Sequence, residues 1–487
     1  MSINAGNILL IGSLLLLLSV IAGKTTNRLG VPTLIFFLVI GVLAGSEGIG
    51  NIHFDNAAIA QLIGVTALNF ILFSGGLDTN WQSIKPVLGK GIALSTLGVF
   101  FTALSVGVFV HYAFGFSLVE GLLLGAIVSA TDAAAVFSIL RNKGIALKGS
   151  LRPMLELESG SNDPMAYFLT VTLTGIIASN NMSVADLLIS FLKEFIIGGA
   201  IGYLMGKGSV WLINNIKLET DGLYPVLTLG LAIFTYSVTH AIGGNGFLAI
   251  YICAVIMGNS NMVHKRSLIK FYDGQAWLMQ IILFLTLGLL VFPSRVLPLI
   301  GTGLLISAFL IFVARPIGVF TALSFFKVNA RSKFFLSWVG LRGGVPIVFA
   351  TYPLLAGIPK SDLIFNLVFF ISVTSVLLQG TTLSYVARLL HVTLPPAIKK
   401  RSGLDFELSD NIKAEMKEIQ LTHHSAAAGK RIVDLAIAPT ITILSVKRAG
   451  TYIAPNGSTK LQAEDVLYVL AEDAESVARL QQSLATG

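Results

Sequence analysis

Cysteine is almost missing from this 487-residue chain. Cys253 stands alone in an apolar run, which excludes a disulfide framework and reads as a small buried hydrophobe. Charge is scarce too: Asp, Glu, Lys and Arg make up 12% of the residues, about half the share of a soluble domain. Against that, 54% are hydrophobic and mean hydropathy is +0.81. So little charge excludes a water-soluble fold for most of the chain and places it in lipid. A cleavable leader is not expected, because the apolar run 8–20 has no Lys or Arg before it and no clear small-residue cleavage site. It reads as a first spanning helix. The net charge of +8 does not signal nucleic acid: residues 1–389 hold 22 basic and 14 acidic residues, whereas 390–487 hold 11 of each. The excess belongs to membrane loops, where positive charge sets orientation, and no nucleic-acid partner is expected.

About 20 apolar residues cross the hydrocarbon core as a helix. Thirteen segments qualify, near 7–23, 30–45, 57–75, 87–113, 118–141, 151–178, 195–214, 222–242, 246–259, 271–292, 296–325, 334–356 and 362–389. The predicted fold is therefore an all-α polytopic membrane domain. One set of alternate loops carries fifteen Lys and Arg residues, the other only Lys193, Arg295 and Lys360. The positive-inside rule then puts the N-terminus outside the cell membrane and the C-terminus in the cytoplasm. Gly198, Gly202 and Gly206 repeat at four-residue spacing, which suits close helix packing.

The membrane domain is read as 1–390 and a polar linker as 391–409, with Pro395, Pro396, Lys399, Lys400 and Arg401. Residues 410–487 form a small soluble α+β module. Met416–Thr422, Thr440–Lys447 and Val466–Ala471 look like strands, Pro455-Asn-Gly like a turn, and Ala474–Leu484 like a closing helix. About 80 residues are marginal for an independent core, so dimerisation is expected.

Ionisable groups within spans are costly and face a partner or a water-filled cavity. Here they are Asp132, Glu156, Glu158, Asp163, Arg315 and Arg342; Lys207 and Arg388 lie nearer span ends and snorkel. In the sixth span Ser159 and Asp163 share a helix face with Asn162 beside them, while Glu158, five residues before Asp163, points about 140° away. Oxygen ligands of this kind suit a hard cation, and no His/Cys cluster suggests zinc or iron. In the fifth span Ser129, Thr131 and Asp132 mark either an unwound helix whose carbonyls coordinate cations or a hydrogen-bonded kink. Arg342, among Gly340, Gly343 and Gly344 with Pro346 following, marks a second broken stretch. Glu158 is its first candidate partner, which leaves Asp163 as the titrating group. One carboxylate that binds either a proton or a monovalent cation performs one-for-one, electroneutral exchange. A structural role for Asp163 at a broken helix end is the bland reading. A gated channel would need a filter, and no carbonyl-rich sequence is evident. An enzyme using Glu158 and Asp163 as acid and base would need a nucleophile–base pair or a metal set, and none accompanies them.

These motifs resemble the NhaP-type cation–proton antiporters: Thr131-Asp132, Glu158-Ser159 before Asn162-Asp163, Arg342 in Leu-Arg-Gly-Gly, Gly246-Phe-Leu-Ala and Gln379-Gly380. The resemblance covers about 1–390 and implies thirteen helices, inverted repeats, a homodimer, and crossed broken helices at spans five and twelve. It also implies that Asp163 binds ion or proton and that Thr131 and Ser159 help ligate the cation. By the same resemblance, Glu158 and Arg342 form an ion pair holding Asn162, and an Asn at that position marks the electroneutral branch. The run Gly160-Ser-Asn-Asp-Pro-Met-Ala resembles the potassium–proton members rather than the sodium-preferring ones. Residues 441–469 resemble the C-terminal lobe of RCK (TrkA-C) domains, which regulate potassium transporters, often by binding a nucleotide; the dinucleotide-binding lobe is missing, so no particular ligand is expected. No cofactor is implied, the cation being substrate. His53, His111, His240, His423 and His424 read as surface residues.

Overall fold

The computed structural model of the chain describes residues 5–29, 33–179 and 184–394, most of 415–471, and residues 476 and 480. It divides into two compact units, Met1–Ala397 and Ile398–Gly487.

The first unit is helical throughout. Its elements are α1 (Ala5–Leu29), α2 (Thr33–Ala44), α3 (Ala57–Asp78), α4 (Trp81–Phe114), α5 (Leu118–Ile127), α6 (Ala133–Asn142), α7 (Leu151–Ser179) and α8 (Val184–Asn215). There follow α9 (Leu223–Ala241), α10 (Gly246–Gly258), α11 (Lys265–Leu289), α12 (Pro293–Ala322), α13 (Ala330–Trp338), α14 (Gly344–Leu355) and α15 (Ser361–Leu389). Each of the thirteen hydrophobic segments is helical. Among the described residues six helices, α3, α4, α8, α9, α12 and α15, are long and apolar enough to cross a membrane by length and composition. Of the rest, five apolar stretches are shorter. Gly198, Gly202 and Gly206 do serve packing: a methyl group on each would meet Asn245 O, Ala249 O or Ile256 Cβ within 2.9 Å, so α8 and α10 lie nearly backbone to backbone.

Two segments are interrupted, the fifth between α5 and α6 and the twelfth between α13 and α14. In the first, Asp132 takes an extended backbone (φ −107°, ψ 100°) and its Oδ1 accepts from Ala135 N at 3.1 Å, capping α6. In the second, Gln379 Nε2 on α15 donates to Trp338 O at 2.7 Å, satisfying a carbonyl that the end of α13 leaves free.

The helices that precede the breaks are built alike. Both α4 and α12 open with a single α turn and a 3₁₀ turn carrying a proline, Pro86 or Pro298. Each then contains a five-residue π turn, Leu94–Gly98 or Leu310–Ala314. They are the fourth and eleventh segments, an odd number of crossings apart, so the second runs opposite to the first. This is the internal signature of an inverted repeat.

The second unit is a four-stranded antiparallel sheet of β1 (Glu415–Gln420), β2 (Ile441–Arg448), β3 (Thr451–Ile453) and β4 (Val466–Ala471), ordered β1-β4-β2-β3. Val446, Leu467 and Val469 are completely buried in its core. The predicted strands are present, and the turn at Pro455–Gly457 follows β3, a short strand that lacks a periodic signature of its own. Of the predicted helix at 474–484 only residues 476 and 480 are described, both helical, and the linker prolines and His423 and His424 lie outside the described residues.

A candidate cation site at two crossed helix breaks

The two interruptions cross in direct contact. Asp132 N donates to Leu341 O at 2.8 Å, and Arg342 Nε donates to Val128 O at 2.9 Å. Contact this close depends on glycine: a methyl group on Gly343 would lie 2.4 Å from Asp132 Oδ2. The sixth segment, α7, is laid against the crossing. Ser159 Oγ sits inside the first break, accepting from Ala133 N and donating to Thr131 O, both at 3.0 Å. Asn162 Nδ2 donates to Thr131 Oγ1 at 2.5 Å. One face of α7 therefore closes the gap in the neighbouring helix.

Asp163 lies one turn after Ser159 and is 5% exposed, and its Oδ1 has no hydrogen-bond partner. It lines a cavity of about 200 Å³ together with Asp132, Ser159, Gly160, Gly344 and Tyr251. Asp78, Arg141, Arg152 and Glu156 line the same cavity. Arg152, whose side chain is 67% exposed, pairs with Glu156 at 2.8 Å and marks the mouth. Beyond Asp163 the path is shut by rings. Tyr167, one turn further along α7, packs on Phe247 at 5.2 Å, Tyr352 at 5.5 Å and Phe349 at 5.9 Å between centroids. Asn245 Nδ2, at the start of α10, donates to Pro164 O at 3.0 Å on the same level. The arrangement brings two carboxylates and a hydroxyl together on the wall of one cavity, oxygen donors of the kind that suit a hard cation.

Two expectations need correction. Glu158 is paired with Arg315, not Arg342: Arg315 Nη2 donates to Glu158 Oε1, and both side chains are 1% exposed. Arg342 instead spends its donors on Val128 O and Gly340 O, so it is tied to the carbonyls of the two breaks. The physical reason is that free helix-end carbonyls already surround Arg342, while Arg315 on α12 meets one acceptor beyond Glu158, Leu336 O at 3.5 Å. Likewise Asn162 is held by Thr131 rather than by an ion pair. Thr131 faces Asn162 and does not line the cavity, whereas Asp132, Ser159 and Asp163 do.

Sequence reasoning missed the aromatic closure by Tyr167, Phe247, Phe349 and Tyr352. Its signal is the i, i+4 relation of Asp163 and Tyr167. It also missed the link from Lys360 Nζ to Glu120 Oε2 at 2.9 Å, which joins the start of α15 to the start of α5. Counting charges around the crossing, Asp132, Glu158 and Asp163 against Arg315 and Arg342, three carboxylates minus two guanidiniums leave one negative charge.

Comparison with known proteins bears directly on this site. The transmembrane sodium/hydrogen exchanger family matches residues 13–389. The chain belongs to that family. The tail of the exchanger matches a TrkA-C domain over 416–484. The exchanger is 40% identical to the K(+)/H(+) antiporter NhaP of Alkalimonas amylolytica over 473 residues, 96% of this chain and 81% of that protein. It is also 40% identical to the K(+)/H(+) antiporter NhaP2 of Shewanella baltica (strain OS223), covering 95% of this chain and 81% of that one. The Na(+)/H(+) antiporter ApNhaP of Aphanothece halophytica is 26% identical over 77% of this chain and 74% of that protein. The solved structure of the sodium proton antiporter MjNhaP1 from Methanocaldococcus jannaschii superposes with a TM-score of 0.69 at 24% identity, covering 79% of this chain and 99% of that chain. It establishes the exchanger's fold. The resemblance drawn from the membrane motifs and from the tail therefore holds.

Proposed function

We propose that this exchanger trades potassium for protons, one for one, and that Asp163 binds the two alternately. The observation that carries the reading is the partnerless Asp163 Oδ1 on the cavity wall, beside Asp132 and the Ser159 hydroxyl. A carboxylate so placed is satisfied by a cation or by a proton but not by both. The single negative charge at the crossing is cancelled equally by either, so exchange is electroneutral. Thr131 supports the site through Asn162. Glu158 with Arg315, and Arg342 with the helix-end carbonyls, hold the crossing in shape. Potassium rather than sodium is favoured by the printed activity of the relatives at 40% identity; sodium–proton exchange at the same residues is the second reading, supported by the more distant sodium relative.

In the same reading the protein lies in a bacterial inner membrane with its N-terminus outside. The basic loops put the mouth at Arg141 and Arg152 toward the cytoplasm. Residues 410–487 act as a regulatory domain for which a nucleotide is a candidate ligand, and the protein is a homodimer in contact with lipid. The proposed reaction is transport and not chemical catalysis. The test is dequenching of a pH-sensitive dye in proteoliposomes holding the full chain. Potassium is expected to collapse the proton gradient, and Asp163→Asn to abolish the response while the protein stays folded. Sodium as the only active ion would overturn the potassium claim, and transport retained by D163N would overturn the role of Asp163.

A further inference from the structure

A second cavity, of about 410 Å³, lies apart from the ion site and shares no lining residue with it. It is walled by Lys90 on α4, Lys148 and Ser150 just before α7, Lys327 between α12 and α13, Arg331 in the first turn of α13, and His391 just after α15. Four side chains of fixed positive charge converge there, and no carboxylate is among the lining residues. Elsewhere in the helical unit Arg152 is paired with Glu156, Lys360 with Glu120 and Arg315 with Glu158. Among the described residues no carboxylate pairs with Lys90, Lys148, Lys327 or Arg331. Concentrated charge of one sign in a concave site, without an internal counterion, calls for an external one.

The shape says which. The volume is that of a small-molecule site, and the lining also includes the apolar Leu151, Met154, Leu390 and Val392. The start of α7 adds to the positive field: Ser150 Oγ is turned to Met154 Sδ at 3.8 Å and does not cap the helix. Arginine and lysine around a site suit phosphate oxygens, the guanidinium by paired donors and the ammonium as a point charge. The geometry points to a site for a phosphate-bearing anion, supplied as the headgroup of an anionic phospholipid or as free phosphate. Such a ligand ties together elements that carry the ion site. Lys148 is already bound to the segment after α15, through its N–H to Val392 O at 2.8 Å and its Nζ to His391 O at 3.1 Å. An anion in the cavity joins this strap to α4 and to the start of α13. The inference does not depend on which ion is exchanged.

The test uses the purified full chain in detergent, given phosphatidylglycerol, phosphatidylcholine or inorganic phosphate. Retained lipid is read by native mass spectrometry, and the thermal midpoint is read in potassium phosphate against potassium chloride at equal ionic strength. Phosphatidylglycerol is expected to be retained at least several-fold more than phosphatidylcholine, and the K90Q/K327Q/R331Q variant is expected to lose that preference. The control K265Q/R266Q, on other basic loop residues, should keep it. R331Q alone, at an exposed position, provides the milder variant should the triple one fold poorly. A midpoint raised by phosphate and lost in the variants assigns the site to free phosphate. Equal retention of phosphatidylglycerol by wild type and R331Q, with no phosphate effect that depends on the variant, overturns the proposal.

Discussion

The pairing of Glu158 with Arg315 can be separated from the alternative pairing with Arg342 by a double-mutant cycle. All three side chains are at most 1% exposed, so water cannot take over from a deleted partner. Removing one member of a buried ion pair costs about 3–5 kcal/mol, because the other is left as an uncompensated charge. At 1.4 kcal/mol per tenfold, that is roughly two to three and a half decades in the folding equilibrium. E158Q and R315M should each pay this cost. The double variant E158Q/R315M leaves no orphan from that pair and should be more stable than the sum of the single losses by about 2 kcal/mol or more. R342M behaves differently, since it frees the carbonyls of Val128 and Gly340 rather than a carboxylate. Combining it with E158Q should give a clearly smaller coupling. The assay is the thermal midpoint of the detergent-purified protein, read as the fraction surviving size-exclusion chromatography, with denaturant unfolding to convert midpoints to free energies. A coupling of Glu158 to Arg342 as large as that to Arg315 would refute the assignment.

Other outcomes follow from the same geometry. G343A should push the Asp132 carboxylate out of place, costing about 1–3 kcal/mol for an overpacked contact and weakening the potassium dependence of exchange. An unchanged concentration dependence in proteoliposomes, at equal folded yield, would contradict the close contact of the two breaks. In the tail, burial pushes the Asp465 carboxyl up, but hydrogen bonds from Arg448 and from Gln462 N outweigh it and hold the group below its ordinary value. A depressed folded-state value means that the stabilisation is complete above the ordinary carboxylate range and is lost as pH falls below about 4. R448Q, which leaves the Gln462 N–H bond in place, should therefore reduce this acid sensitivity. Hydrogen exchange of β2 and β4 in the full chain, corrected for intrinsic rates, would reveal it, and an identical pH profile in R448Q would count against the pairing.

The helices and their interruptions could be read in advance because both are one-dimensional signals. An apolar run reports a span. Ser129, Thr131 and Asp132 in one run, and Gly340, Arg342 and Gly343 in another, report where the backbone leaves the helix. Asp163 and Ser159 were legible together because their spacing alone puts them on one face. The partner of Glu158 was not. Arg315 lies on α12 and Arg342 in the break between α13 and α14, and choosing between them requires the rotation of α12. That rotation is altered by the π turn at 310–314 immediately before Arg315, where an extra residue per turn shifts the facing register. Nothing in a hydrophobic pattern announces a π turn. The rings that close the cavity were hidden for a related reason: Tyr167, Phe247 and Tyr352 come from three segments and meet only through the packing of α7, α10 and α14.

The charge count at the helix crossing has one further consequence, for the force that drives the cycle. A carrier that moved one net charge would feel the membrane potential at about 2.3 kcal/mol per 100 mV. With either occupant, the cluster of Asp132, Glu158, Asp163, Arg315 and Arg342 sums to zero, so on the proposed exchange it draws no current and the potential does no work on it. Flux then halts where the inside-to-outside concentration ratios of cation and proton become equal, whatever the voltage. Clamping the potential of proteoliposomes while holding both ratios fixed should leave the rate where it was.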